Sequence, residues 1–423
     1  MPQRVFISGL GFISSIGNDT NEVESSLREG RHGIESFVFD NAPRSPVHVL
    51  ATVKGFQTLS LDAEDWEFPK RYKISRGELR GTSPHGLYAY CAVQQAIEDA
   101  CLKEEEVSSE DTGLFTASAG SIWMMNAFMN KMRKVGVERV NPKGIVATIA
   151  GTLNFNLVAS FRIQGSSCGF VSACASSGHA LGFAFDEIAL GRQERMIVVG
   201  AEDGNADCIL PFSGMRALSL NRDPNLASRP FDKNRDGFVG TGGAAALILE
   251  SESAMKARGA SPYAEFLGWG QTSDGYNPVL PEPEGNGLAR AMKRALCSAD
   301  VSPEQVKYIN AHAPSTPFGD LAEVRAVKSV FGQEGGPGIS STKALHGHGL
   351  SLGSALEAGI TALCIKRSFC PASAHIQDLE DEAKSLNILR EPLLHSPQVA
   401  ISNSSGFGGA NVTVVLGQCS EEN

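Results

Sequence analysis

Short apolar runs alternate with amphipathic stretches along the whole chain, the texture of an α/β protein. The run at 5–11 (VFISGLG) predicts a first strand and turn. Residues 87–101 have helical spacing, and 195–203 and 244–250 read as buried strands. A further strand is expected at 263–270, a helix at 288–299, and a strand with a turn at 306–313. The stretch 252–262 is a helix tail ending in Gly259 and a Ser-Pro turn, which places a lobe boundary there and divides the chain into 1–258 and 259–423. One pattern occurs twice. Residues 170–182 (FVSACASSGHALG) and 339–353 (ISSTKALHGHGLSLG) each set a β-like run before a polar-tipped turn and a small-residue helix. Cys174 stands at one turn and Lys343 at the other, which suggests a duplicated fold sharing one site.

Composition narrows the function classes. With 37 basic and 47 acidic residues the net charge is −10, which argues against bulk binding of nucleic acid or of an anionic membrane. An acidic partner would need a local basic patch. The longest charge-free stretch, 163–185, is interrupted by Gln164, Ser166, Ser167, Ser172, Ser176 and Ser177 and so does not read as a bilayer span. The start, MPQRVFISGL, has neither a basic n-region nor a cleavage site and reads as a mature cytoplasmic N-terminus. Nine scattered cysteines without a CxxC pair fit neither a disulfide framework nor a zinc site. The 45 glycines point to many tight turns and close backbone approaches.

Cys174 follows a β-like run and opens a small-residue helix. There the dipole and free N–H groups favour a thiolate and can hold an oxyanion. The alternative is a buried structural cysteine. His312, at the end of an apolar run before a Pro-rich turn, sits where a base is often found; a capping or core histidine is the other reading. His348 lies in a Gly-His-Gly context five residues after Lys343 and next but one to His346; a glycine-rich turn with solvated side chains competes with a catalytic one. Glycines on both sides of Phe407 suit a mobile loop with an aromatic tip, or an ordinary hairpin. The Cys174–His312 separation resembles that of papain-like proteases, but Cys174 is mid-chain and lacks their flanking pattern. GLGFISSIG at 9–17 mimics a dinucleotide-binding loop, yet Ser14 replaces the third glycine and Arg31 stands where the ribose-binding acid belongs.

Taken together, GLGFISSIGN, SACASSGHALG, RPFDKNRDGFV, INAHAPSTPFGDLAE, SSTKALHGHGLSLGSALEA and SNSSGFGGAN resemble the β-ketoacyl-acyl-carrier-protein synthases, the elongating condensing enzymes with a Cys-His-His site. The resemblance covers nearly the whole chain and implies a thiolase-like fold, two duplicated halves in five alternating layers (αβαβα). The first half would carry the nucleophile, the second the two histidines and the lysine. It implies an acyltransferase in fatty-acid, polyene or other polyketide elongation, with no metal or organic cofactor. Its substrates ride on the phosphopantetheine arm of acyl-carrier protein, and it is usually a homodimer, or a heterodimer with a related subunit. A thiolase-like enzyme acting on coenzyme A thioesters, or a cysteine hydrolase, is the alternative.

By resemblance Cys174 is the acyl-accepting nucleophile, His312 and His348 act in decarboxylation, Lys343 holds the electrostatics and Glu323 is linked to it. Phe407 matches the gating aromatic whose N–H joins that of Cys174 in an oxyanion hole; Ser315, Thr316 and Glu323 match substrate-binding positions. Arg76, Arg80, Arg133, Lys134 and Arg139 match stretches lining the entrance where the carrier protein docks. Four departures bear on the substrate. Pro314 replaces a threonine that usually bonds the pantetheine arm, Ser405 a second phenylalanine, and Thr241 an acidic residue, while Ile122, Trp123 and Met124 add bulk expected to reshape the acyl pocket.

Overall fold

The computed structural model describes residues 2–39 and 42–419. Thirteen strands form, in chain order, β1 (Val5–Ile13), β2 (Ile34–Ser36), β3 (Val49–Ala51), β4 (Thr112–Ala117), β5 (Ser167–Phe170), β6 (Arg195–Glu202) and β7 (Gly243–Ser251). The second part of the chain adds β8 (Ala264–Ser273), β9 (Tyr308–Asn310), β10 (Gly335–Ser340), β11 (Leu386–Ile388), β12 (Val399–Gly406) and β13 (Ala410–Gly417). β2 and β3 make a separate ribbon, and the other eleven are hydrogen-bonded in the order β11-β10-β9-β12-β13-β8-β1-β7-β6-β4-β5.

That order contains the same topology twice. In β5-β4-β6-β7-β1 and in β10-β9-β12-β13-β8, the third strand of each set lies outermost, then the second, fourth, fifth and first. The directions also agree: β4 is parallel to β5 and β6, β9 to β10 and β12, while the fourth, fifth and first strands of each set pair antiparallel. The two sheets join along only three residue pairs, Val5–Ile7 of β1 against Ala264–Phe266 of β8. The duplicated strand–turn–helix pattern of the sequence lies at matching places, with Cys174 following β5 and Lys343 following β10.

Both sheets are covered on both faces, which is why β6 and β7 read as continuous apolar runs. The helices Ser176–Ala189 and Gly353–Arg367 pack together between the sheets; Pro84–Asp99 covers the first sheet outside, and Asn286–Ser298 with Pro317–Phe331 the second. These are the five layers. The central helices reach across the seam. Gly182 lies so close to Trp269 of β8 that a Cβ there would collide with the indole, and a Cβ on Gly359 would stand 2.8 Å from the ring of Phe12 in β1. Each glycine is the seventh residue of its helix, and each packs on the first strand of the opposite half.

Candidate active site

The chain ends β5 at Phe170 and turns through Ala173, whose φ of +52° is in the left-handed region, before the helix starting at Ser176. Ser176 fastens this turn: its hydroxyl accepts the Ser172 N–H at 2.8 Å and donates to the Ala173 carbonyl at 2.6 Å. Cys174 is thus held just before the helix, and its own N–H has no hydrogen-bond partner among the described residues. A Cβ on Gly406, at the end of β12, would lie 3.0 Å from the Cys174 nitrogen. Only glycine lets the Phe407 turn come this close.

The second half supplies the bases. His348 Nε2 lies 3.1 Å from Cys174 Sγ, and the rings of His312 and His348 meet edge to face with centroids 5.3 Å apart. The His348 backbone is clamped by the segment just before β7: its N–H donates to the Val239 carbonyl at 2.7 Å and its carbonyl accepts from the Thr241 N–H at 3.2 Å. The Thr241 hydroxyl in turn donates to Ala51 in β3, so this departure from the family pattern is a structural tie. His312 is placed by Glu323, whose carboxylate accepts the N–H groups of His312 and Ala313 at 3.1 and 2.7 Å and the side chain of Asn403 at 3.0 Å.

Lys343 is buried behind the histidines and forms its ion pair with Glu357, not Glu323. The expected Lys343–Glu323 link is electrostatic and not an ion pair: burial raises the Glu323 carboxyl, and the charge of Lys343 acts against that larger upward effect. Glu357 sits on the small-residue helix Gly353–Arg367, where a fully buried carboxylate was the only signal for it. Burial, Lys343 and His348 together hold the imidazole of His312 well below its usual pKa. Burial, Lys343 and His346 do the same for His348, so both rings are neutral. Burial also pushes the Cys174 thiol up to about 12, against the opposing charge of Lys343. Burial thus favours the thiol over the thiolate that a place before a helix suggests, with His348 Nε2 as the neighbouring group for its proton.

One cavity gathers Cys174, His312, His348, Glu323, Pro314, Thr316 and Phe407, with Phe212 and Phe238 as its apolar wall. Phe407 is half-buried and its ring lies 5.9 Å from that of Phe212. Ser315 does not line the cavity. Its φ of +76° turns the chain there, its hydroxyl accepts the Arg229 N–H at 3.0 Å, and its own N–H donates to Asp320 at 3.0 Å. Ile122, Trp123 and Met124 lie outside it too, beginning the helix Ile122–Val135; Trp123 lines a separate cavity with Tyr88 and Asp203. Ser405 does line it and donates to Asn411 at 2.7 Å. Arg76 and Arg80 are exposed, as are Arg133, Lys134 and Arg139, and none belongs to this cavity.

The family model described as beta-ketoacyl synthase, N-terminal domain, matches residues 2–254, and the corresponding C-terminal domain matches 263–377. The chain belongs to the β-ketoacyl synthase family. This β-ketoacyl synthase is 39% identical to 3-oxoacyl-[acyl-carrier-protein] synthase 1 of Haemophilus influenzae over 98% of both chains. A β-ketoacyl synthase from Burkholderia phymatum superposes with a TM-score of 0.90 at 30% identity, covering 99% of this chain and 100% of the other. A type II polyketide ketosynthase bound to its acyl-carrier protein superposes with a TM-score of 0.86 at 25% identity, over 99% and 100% of the two chains. The enzyme is an acyltransferase, and its thiolase-like fold is that of its relatives. Among the described residues no helix is long and apolar enough to cross a membrane.

Proposed function

We propose that this β-ketoacyl synthase extends an acyl group held on Cys174 by decarboxylative condensation with a malonyl group, both delivered on acyl-carrier protein. The observation that carries the reading is the His348 Nε2–Cys174 Sγ contact at 3.1 Å, with His312 against His348 in the same cavity. As Cys174 attacks the acyl thioester, its proton passes to His348 and on to the departing carrier thiol. A carbon–sulfur bond forms to Cys174 and the one to the carrier breaks.

The malonyl thioester then enters beside His312 and His348. Its carbon–carboxylate bond breaks, carbon dioxide leaves, and the electron pair becomes an enolate whose oxygen receives N–H bonds from the two neutral imidazoles. Each such donor is worth about 3–4 kcal/mol by analogy with oxyanion holes. The enolate carbon attacks the acyl-Cys174 carbonyl. The N–H groups of Cys174 and Phe407 hold the resulting oxyanion, and its collapse breaks the bond to Cys174 sulfur; the departing thiolate takes a proton from solvent to restore the resting thiol. No step calls for a metal or organic cofactor. Thr316 is left to meet the pantetheine arm, since Pro314 has no N–H or hydroxyl to offer.

Cys174 is the one cysteine lining the cavity, whereas a thiolase-like reaction uses a second as base. Incubation with an acyl-carrier protein and malonyl-carrier protein should yield a β-ketoacyl-carrier product and carbon dioxide. Product from coenzyme A thioesters alone, or simple hydrolysis, would overturn the reading.

The carrier protein would dock on Arg76, Arg80, Arg133, Lys134 and Arg139, a basic face on a chain of net charge −10. A second copy of the chain would pair along β5, the last strand in the sheet order, beside the exposed Val171, Phe155 and Ile122. All nine cysteines are free, which suits a reducing cytoplasm.

A further inference from the structure

The basic face is divided into an occupied and an open part. Arg76 donates from Nε to Glu64 at 2.7 Å and pairs with the second oxygen of the same carboxylate; Arg80 Nε donates to it at 2.6 Å. Both guanidinium groups are exposed, with side chains 70% and 58% accessible, and among the described residues the one carboxylate that ion-pairs with them is Glu64 in the turn Ala63–Asp65. The hydrogen bonds from Arg76 and Arg80 draw the Glu64 carboxyl down to about 2.

The other cluster differs. Arg133 and Lys134 end the helix Ile122–Val135 and Arg139 ends the next turn; no ion pair forms on any of them among the described residues. The segment that follows Arg139 is bonded to the first cluster. Asn141 donates to the Arg80 carbonyl at 2.5 Å, and Lys143 Nζ donates to the Gly77 carbonyl at 3.0 Å. An acidic surface arriving here meets cations without an ion pair at 133–139, and at 76–80 two guanidinium groups that share one carboxylate.

We propose that Glu64 is a built-in competitor for the carrier protein: it occupies Arg76 and Arg80 in the free enzyme and is displaced by an acidic group of the docked carrier. The inference rests on the docking-face reading above. Exchange of one carboxylate for another at an exposed arginine changes little energy, because such pairs are individually weak. Glu64 therefore weakens docking without blocking it. It also shortens the lifetime of the complex, since the arginines have a partner waiting when the carrier leaves. A carrier must dock and depart for each acyl and each malonyl group, and a self-paired arginine surface favours that turnover over tight retention. Affinity is mostly set through dissociation, so the effect belongs there.

The test compares Glu64→Gln with the parent enzyme on acyl-carrier protein and on a small acyl thioester that lacks a carrier. The readout is the ratio of the two KM values, followed against salt. Glu64→Gln should lower that ratio by about three- to tenfold at low ionic strength, with the gain fading as salt rises. An unchanged ratio overturns the proposal. A raised ratio overturns it as well, because Glu64 would then be the group that presents the arginines to the carrier. Arg76→Glu with Arg80→Glu tests the underlying face separately. If that pair leaves the ratio unaltered, the docking face itself is wrong, whatever Glu64→Gln does.

Discussion

The two half-reactions call on different residues, and single substitutions should separate them. Acyl transfer needs the Cys174 sulfur, whereas decarboxylation needs only donors around an enolate oxygen. Cys174→Ala should abolish the acyl-enzyme adduct, read by intact-protein mass, yet still release carbon dioxide from malonyl-carrier protein. His348→Ala should slow decarboxylation by roughly 10²–10³, the cost of losing one oxyanion donor. Lys343 acts on both histidines through its charge. Its ammonium lies among the causes that hold His312 and His348 below their ordinary pKa, so removing it raises both. Protonated imidazoles appear as pH falls through those values. In Lys343→Met the acid limb of the decarboxylation profile should therefore move to higher pH. A limb that stays in place would show that burial alone keeps the rings neutral. The same variant leaves Glu357 as an uncompensated buried carboxylate, which should cost about 3–5 kcal/mol in denaturant unfolding.

Much of the element scale was legible in the chain. The apolar runs at 195–203 and 244–250 became β6 and β7, and the repeated strand–turn–helix pattern fell on the third strand of each half. Such runs are readable because a strand covered on both faces has no polar positions to confuse the pattern. The grouping of Cys174, His312 and His348 was legible through the family resemblance of the segments that carry them; Cys174 and His312 each follow a strand, whereas His348 follows the short helix Lys343–His346. The partner of Lys343 was not. Glu357 comes fourteen residues later on a helix buried all round, and which face it turns to Lys343 is decided by packing between the sheets. Ser315 failed for a related reason: a left-handed backbone at that residue takes it out of the cavity while its neighbours Pro314 and Thr316 stay in. Packing of the central helices supplies a sharp test. Gly182→Ala would gain about 1 kcal/mol in helix propensity. It would also press a methyl group into the Trp269 ring, an overpacking cost of about 1–3 kcal/mol. Net destabilisation is expected, visible as a lower urea midpoint, and Gly359→Ala against Phe12 should behave alike.

At the scale of the whole molecule, charge and catalysis share one layout. The nucleophile comes from the first half, and the two histidines and the lysine come from the second. Each half also contributes to the wall around them, Phe212 and Phe238 from one and Pro314 and Phe407 from the other. The cavity exists only where the halves meet. The seam between the sheets is short, three residue pairs, so little backbone hydrogen bonding holds the halves in register. Side-chain packing in the central layer does that work.

The crossed contacts Gly182–Trp269 and Gly359–Phe12 mean that each half uses the other's first strand to cover its own helix. Cut in the loop between Ala257 and Ala264, the chain would become two polypeptides that each expose an apolar helix face and an apolar sheet face. Neither fragment should be soluble when expressed alone. Expressed together they should associate without the covalent link, and the acyl-Cys174 adduct should reappear only in the mixture. A fragment that folded and stayed monomeric by itself would show that the exchange of helices across the midline is decoration and not the reason the molecule holds together.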